Sequence, residues 1–364
     1  MTEPWRPGTQ PTRLLPNRGE ATRPQKPKSA SATTSARTAL DWREFFAEKT
    51  EVPVGGRASF SVYWAGDEEA PLALFLLHGA GYSALSFAAF TEQLCELIHI
   101  RVVAVDLRGH GNSTADDEDD LSTNTMIADI EAVMSAVFKS SSAGQRIVVM
   151  GHSMGGALAV HWASVYGGEE AWSRRLAGLV VVDVVEGSAV AALSHMQTFL
   201  RNRPPSFPSH QAAIDWCLRS GTVHNSRSAR VSMPAQLRRR PAGASTTVAG
   251  GGSADADAAE GGSADALVWR IELSRTERHW RGWFAGLSER FLAVKAPKLL
   301  LLAGVDRLDK PLTVAQMQGK FQLLVLPKVG HVIHEDSPHA VAGHVAQFCT
   351  RFRLTTNKQA AANG

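Results

Sequence analysis

Six short apolar runs punctuate the chain from residue 72 onward, and they restrict what it can fold into. The runs are LALFLL (72–77), RVVAVDL (101–107), RIVVMG (146–151), GLVVVDVV (178–185), KLLLLAG (298–304) and FQLLVLP (321–327). A strand with one wet face alternates apolar and polar residues, whereas a parallel strand covered on both faces reads as continuous. Between several of these runs lie helical patterns, at 85–98, 125–138 and 155–166, with another at 340–352 after the last run. The alternation predicts βαβ units and an α/β fold, a mostly parallel, doubly wound sheet.

Length and charge narrow the classes further. The chain has 364 residues with 44% hydrophobic and 20% charged, a globular balance that excludes collagen-like or wholly disordered structure. Its net charge of +3 argues for neither a nucleic-acid nor a membrane partner. No apolar run approaches the roughly 20 residues of a membrane span. Cys95, Cys217 and Cys349 are too few and too scattered for a disulfide framework. Reduced thiols in the cytoplasm are the expectation, with the nucleus as a second compartment, although the basic strings RNRP and RRRP are too short to argue import firmly.

Residues 1–40 are rich in Pro, Arg, Ser, Thr and Lys, which predicts a disordered tail. No apolar stretch follows the first basic residues, so a signal peptide is not expected, and no amphipathic period favours a transit peptide. Residues 355–364 read as a flexible C-terminal tail. The α/β core is expected over 41–187 and 294–354, interrupted by a cap at 188–293. Inside that cap, helices are expected at 189–201 and 210–220, and a Gly/Ala/Ser-rich disordered loop at about 238–266. After it, Trp280, Trp283, Phe284, Leu287 and Phe291 recur at spacings of three and four, the mark of an amphipathic helix. An excursion this long is expected to sit over the carboxyl ends of the strands, where open sheets bind ligands.

The chemistry is concentrated in VVMGHSMGGALAVHWA. Gly151-His152-Ser153-Met154-Gly155 matches G-x-S-x-G between a strand-like run and a helical pattern, the context that places a serine on a sharp strand-to-helix turn. Ser153 is the expected nucleophile, and the helix N-terminus favours the negative charge that develops beside it. A second backbone donor should come from His78-Gly79-Ala80-Gly81, which follows an earlier strand. The amides of Ala80 and Met154 are the expected oxyanion donors, with Gly81 as a substitute. Arg108 and His110, after the next strand, read as structural, and His78 and His152 as supporting hydrogen-bond groups.

A serine needs a base and the base an orienting acid. His331 follows the final strand and Gly330, the usual place for the histidine in the order Ser, acid, His; His334 is its competitor. A metal-binding HxxH reading lacks further ligands. For the acid, Asp183 interrupts an apolar run at a strand end, and Asp306 follows the penultimate strand. Asp309 and Glu186 are further candidates, and the residues alone leave the choice open.

The strings LLHGAGYSALSF, GHSMGGALAVH, VVDVVEGSAVAALSHMQTFLRNRP, SARVSMPAQL, WRIELSRTERHWRGWFAGLS, KLLLLAGVDRLDKPLTVAQMQGKFQLLVLP and GHVIHED resemble the eukaryotic protein phosphatase methylesterases, over about residues 41–352. That resemblance implies an α/β-hydrolase fold with a cap and a serine carboxylesterase without metal or organic cofactor. The implied reaction removes the methyl ester from the C-terminal leucine of the type 2A protein phosphatase catalytic subunit, releasing methanol. It implies Asp183 as the acid and His331 as the base. It further implies that docking of the phosphatase helps to arrange the site. The low-complexity insertion here is Gly/Ala/Ser-rich rather than strongly charged, so partners of that insertion in relatives are not carried over. Met196, Phe199, Arg201, Arg230 and the Trp280/Trp283 face are candidates to line a groove or touch the phosphatase, although each aromatic position can equally serve packing. The acidic run at 116–120 reads as a solvated loop. A small-molecule carboxylesterase and a non-catalytic phosphatase-binding protein are the alternatives.

Overall fold

The computed structural model describes residues 37–139, 145–240, 266–356 and 358. The tail expected before residue 37 and most of the low-complexity loop lie outside the described residues. The strands are β1 (Glu48–Val54), β2 (Ala58–Gly66), β3 (Leu72–Leu77), β4 (Arg101–Val105), β5 (Thr114–Ala115) and β6 (Arg146–His152). They continue with β7 (Leu176–Val182), β8 (Ser206–Phe207), β9 (Leu237–Arg239), β10 (Leu267–Trp269), β11 (Lys298–Leu302) and β12 (Gln322–Val325). The helices are α1 (Ala88–Leu97), α2 (Thr123–Phe138), α3 (Met154–Val165), α4 (Glu170–Ser173), α5 (Glu186–Arg201) and α6 (His210–Arg219). Then come α7 (Ser226–Ala235), α8 (Glu277–Phe284), α9 (Leu287–Ala293), α10 (Lys310–Met317), α11 (Ile333–Asp336) and α12 (Pro338–Arg351).

The main sheet runs β1-β2-β4-β3-β6-β7-β11-β12, with β5 beside β2. From β4 to β12 every pairing is parallel, and only the β1, β2 and β5 edge is antiparallel. Successive side chains of a strand face opposite ways, so each strand feeds two cores. Leu72, Leu74 and Leu76 of β3 pack with α1 and α12, while Phe75 and Leu77 pack with α2 and α3. Both faces are therefore dry, which is why these runs carry no polar alternation. The β1–β2 hairpin was not among the predicted strands; its signal is the Gly55, Gly56 turn between two short segments.

The cap differs from expectation in three respects. First, Leu237–Arg239 is a strand, paired with β10, so the segment expected as loop from about 238 begins later. Strands β8, β10 and β9 and helices α6 and α7 enclose a small core of Phe207, Ile214, Cys217, Met233 and Leu267. Second, the stretch read as one amphipathic helix is broken into β10, a 3-10 turn at Leu273–Thr276, α8 and α9, with Gly286 at φ 72° between the last two. Third, α8 and α9 pack on α3 and bury Trp280, Trp283, Phe284, Leu287 and Phe291 in the core beneath the sheet. Helix α8 also packs on α5, so this segment joins the cap to the helical layer of the core.

The acidic run at 116–120 is not simply solvated. Glu118 receives Arg270 at 2.7 and 2.8 Å, Asp119 pairs with Arg275 at 2.5 Å, and Asp120 accepts from Thr125 Oγ1 at 2.7 Å. Arg270 also donates to the carbonyls of Gly111 and Ser113, so this loop clips the cap to the core. The predicted tails are partly anchored: Leu40 donates to the Arg230 carbonyl at 3.0 Å, and Thr355 Oγ1 to the His99 carbonyl at 2.6 Å.

Candidate active site

Strand β6 passes into α3 through a single residue. Ser153 sits there at φ 50° and ψ −118°, a conformation disfavoured for a residue with a side chain by about 1–3 kcal/mol. Its amide is held by the Val182 carbonyl at 2.9 Å. The bend is possible because its neighbours lack side chains: a Cβ on Gly151 would lie 2.1 Å from the Gly155 carbonyl oxygen, and one on Gly155 2.2 Å from that of Leu77. The hydroxyl is thereby presented at the carboxyl end of the sheet.

Asp183 occupies the equivalent place on the next strand, one residue past β7, and is also at positive φ (53°). Its carboxylate is buried. Oδ1 accepts from the Ala303 amide at 2.9 Å; Oδ2 accepts from His331 Nδ1 at 2.7 Å and is also paired with Arg307. Three donors around one carboxylate offset its removal from water. With Nδ1–H committed to Asp183, the imidazole presents Nε2 as its free basic nitrogen. The His331 ring is half exposed and lines a cavity of about 560 Å³ together with Ser153 and Ala80. Among the described residues no hydrogen bond joins Ser153 Oγ to His331.

The other candidates sort by their partners. His334 is buried, stacked on Phe87 with ring centroids 4.3 Å apart and bonded to Ser86 Oγ at 2.8 Å, so it is not available as the base. Asp309 caps α10 through the Leu312 amide, and Glu186 accepts from the Gly286 and Ser288 amides. The side chain of Asp306 lies outside the described residues. The Gly81 amide donates to His110 Nε2 at 2.9 Å, which removes the substitute oxyanion donor. Among the described residues no hydrogen bond engages the amides of Ala80 or Met154, and Met154 opens α3.

The remaining histidines hold the loops. His78 bonds the Leu107 amide and the Gly79 carbonyl, and His110 Nδ1 bonds the Arg108 carbonyl. Arg108 pairs with Asp129 at 2.7 and 2.8 Å. Burial lowers the pKa of His110 to about 4 and that of His334 to about 3. It also carries His78 and His152 well below the ordinary histidine value, with His331 and His334 adding to the effect at His152.

On the cap side, Met196 and Phe199 line the cavity, as expected. The Trp280/Trp283 face does not, because Trp280 and Trp283 are buried in the core and Trp283 Nε1 is spent on the Leu121 carbonyl. Arg230 is spent on the Thr38 carbonyl, and Arg201 is exposed outside the cavity lining. Trp216, Trp269, Arg203 and Arg307 line the cavity without having been singled out from the sequence. Trp216 stands on the expected helix at 210–220, where the period marks a buried face but not a cavity, and the two arginines look like any surface cation until the chain folds.

The alpha/beta hydrolase family matches residues 74–344. Among curated relatives, "Probable protein phosphatase methylesterase 1" of Caenorhabditis elegans is 45% identical over 345 residues, covering 94% of this chain and 86% of that protein. "Protein phosphatase methylesterase 1" of Homo sapiens is 44% identical over 338 residues, covering 86% of this chain and 85% of that protein. That of Schizosaccharomyces pombe is 36% identical over 316 residues, covering 85% of each. Among solved structures, E-2-(acetamidomethylene)succinate hydrolase superposes with a TM-score of 0.61 at 17% identity, covering 83% of this chain and 99% of that one. A thioesterase domain from the curacin biosynthetic pathway superposes at 0.56 and 21% identity, covering 82% and 98%. These two likenesses show the fold.

Proposed function

Because the chain belongs to the protein phosphatase methylesterase family of α/β hydrolases, we propose that it removes the methyl ester from the C-terminal leucine of the type 2A protein phosphatase catalytic subunit. The chain is a carboxylic ester hydrolase that acts on a protein phosphatase. The observation that carries the reading at atomic level is the shared cavity: Ser153 on its strained bend and His331, held through Nδ1 by buried Asp183, line the same space.

In this reading Ser153 Oγ attacks the ester carbonyl carbon as His331 Nε2 takes its proton. The oxygen that becomes negative is met by the amides of Ala80 and Met154. Collapse of the tetrahedral intermediate expels methoxide, which leaves as methanol with the proton from His331. Water, deprotonated by His331, then attacks the acyl-enzyme and regenerates Ser153 and a free C-terminal carboxylate. Asp183 keeps the ring in the productive tautomer and stabilises its protonated form.

Methanol release from the methylated phosphatase tests this. Wild-type protein should release one equivalent per methylated tail, and Ser153→Ala should lose at least roughly a thousandfold in rate while keeping its fold. Full activity in that variant overturns the nucleophile, and turnover of simple esters but not of the phosphatase overturns the substrate. The missing Ser153–His331 hydrogen bond supports the further reading that phosphatase docking draws the two together. Faster turnover on the whole phosphatase than on its isolated methylated tail is then expected, and equal rates would sink that part.

A further inference from the structure

Arg203 is a cation lining the cavity, and among the described residues no carboxylate forms an ion pair with it. It follows α5, and its guanidinium sits over the Trp269 ring, Cζ 3.4 Å from the centroid. One of its terminal nitrogens, Nη1, is 3.9 Å from where a Cβ on Gly81 would stand, beside the loop that carries the Ala80 amide. Among the described residues its guanidinium makes no ion pair and no hydrogen bond, although Arg108, Arg227, Arg270 and Arg307 each hold a carboxylate. Asp183, the one carboxylate lining the cavity among the described residues, is already taken by His331, Ala303 and Arg307. The charge of Glu272 reaches Arg203 and favours its protonated form, but that carboxylate accepts from Ser274 and forms no ion pair with the guanidinium.

A guanidinium has five donors in a planar fork that matches a carboxylate. Holding it in a largely apolar recess beside Leu200 and Leu273 without a partner is unfavourable. Burial accordingly draws its pKa down to about 10, which still leaves it charged at neutral pH. The Trp269 face keeps the fork in place by stacking and leaves its edge free for a ligand.

We propose that Arg203 is a specificity residue that binds a carboxylate on the acyl side of the ester, so that this cavity selects an acidic peptide segment. The proposal rests on the esterase reading and deepens it. The same fork could instead take the C-terminal carboxylate that hydrolysis creates. The chemistry is shared, and the two sources separate experimentally.

Short peptide methyl esters ending in leucine are compared with Asp or Asn placed one, two or three residues before the ester. Wild-type protein should prefer Asp by about tenfold in kcat/KM at one of these positions. Arg203→Gln should bring that ratio near one, with Arg203→Lys between them. A wild-type protein indifferent to Asp at all three positions locates the carboxylate in the product, provided that the free acid inhibits more strongly than its amide and that Arg203→Gln removes the difference. Indifference in both arms overturns the proposal, whether or not the variant folds. Calorimetric binding of the corresponding leucinamide peptides to Ser153→Ala separates this from the esterase reading. Preference for Asp there supports Arg203 even if no ester is turned over, and hydrolysis without any charge preference leaves the esterase and removes the role of Arg203.

Discussion

His152, the residue immediately before Ser153, donates from Nε2 to the main-chain carbonyl of His331 at 3.0 Å. The loop that carries His331 is thus fastened to the bend that carries Ser153. The two rings stand 4.7 Å apart, and burial keeps His152 neutral, so its one N–H is committed to that carbonyl. His152→Ala should lower kcat by about ten- to a hundredfold through misplacement of His331, with little change in KM. His152→Gln, whose amide nitrogen can reach the same carbonyl, should recover part of the loss. Steady-state kinetics on methylated phosphatase decide, and unchanged kcat in the alanine variant refutes the fastening.

Asp183→Asn replaces an acceptor of three donors by a group with one oxygen and an NH₂. The imidazole should then present its proton at Nε2 and cease to act as a base. A fall in kcat on the order of 10³–10⁴ is expected. Stability should fall as well, because Arg307 is left without its anion. Retention of more than a tenth of the activity would point to Asp306 instead.

Two glycine-to-alanine changes should act in opposite directions. On Gly155 the new methyl group meets the Leu77 and His78 carbonyls at 2.2 and 2.5 Å, and α3 must move away from β3. A loss above about 4 kcal/mol is expected, read as failure to fold or a collapsed urea midpoint. Gly343, inside α12, has nothing within 4 Å of the added atom, and alanine there should gain up to about 1 kcal/mol.

Acid should unfold the protein earlier than its carboxylates alone would require. His110 and His334 remain neutral in the fold down to about pH 4 and 3, whereas in the unfolded chain each protonates near 6.5. The unfolded state therefore binds more protons across that window, and stability falls as pH falls, by about 3 kcal/mol from His110 alone. His78 and His152 act in the same direction. Asp106, raised to about 6 by burial, and Glu335, raised well above the ordinary glutamate range, oppose it because they take up protons first in the folded state. His161 and His210 are also lowered by burial and Asp129 is also raised by it, so six histidines stand against three carboxyls and leave a net loss. Thermal midpoints should drop between pH 6.5 and 4, and a flat profile would contradict the buried neutral cluster.

Ser153 and its bend could be read directly, because everything that defines them lies within a few residues: a strand run, glycines on either side and a helix period. The covered sheet was legible for a similar reason, since burial on two faces leaves continuous apolar runs. The face of Trp280, Trp283, Phe284, Leu287 and Phe291 was legible as buried, but periodicity does not say against what, and it packs on α3 of the core as well as on α5 of the cap.

What needed the folded chain was every relationship across long sequence separations. The residues alone left Asp183 and Asp306 open, and the family resemblance pointed to Asp183. Only the packing of β7 beside β11, and the placement of the final loop, brings that carboxylate to His331, 148 residues away. The same holds for the arginines: Arg307 finds Asp183 and Arg270 finds Glu118, while Arg203 is left facing the cavity alone. Strand, helix and turn preferences are set by neighbours a few residues apart. A charge acquires its partner, or lacks one, only when distant loops have been fixed in space.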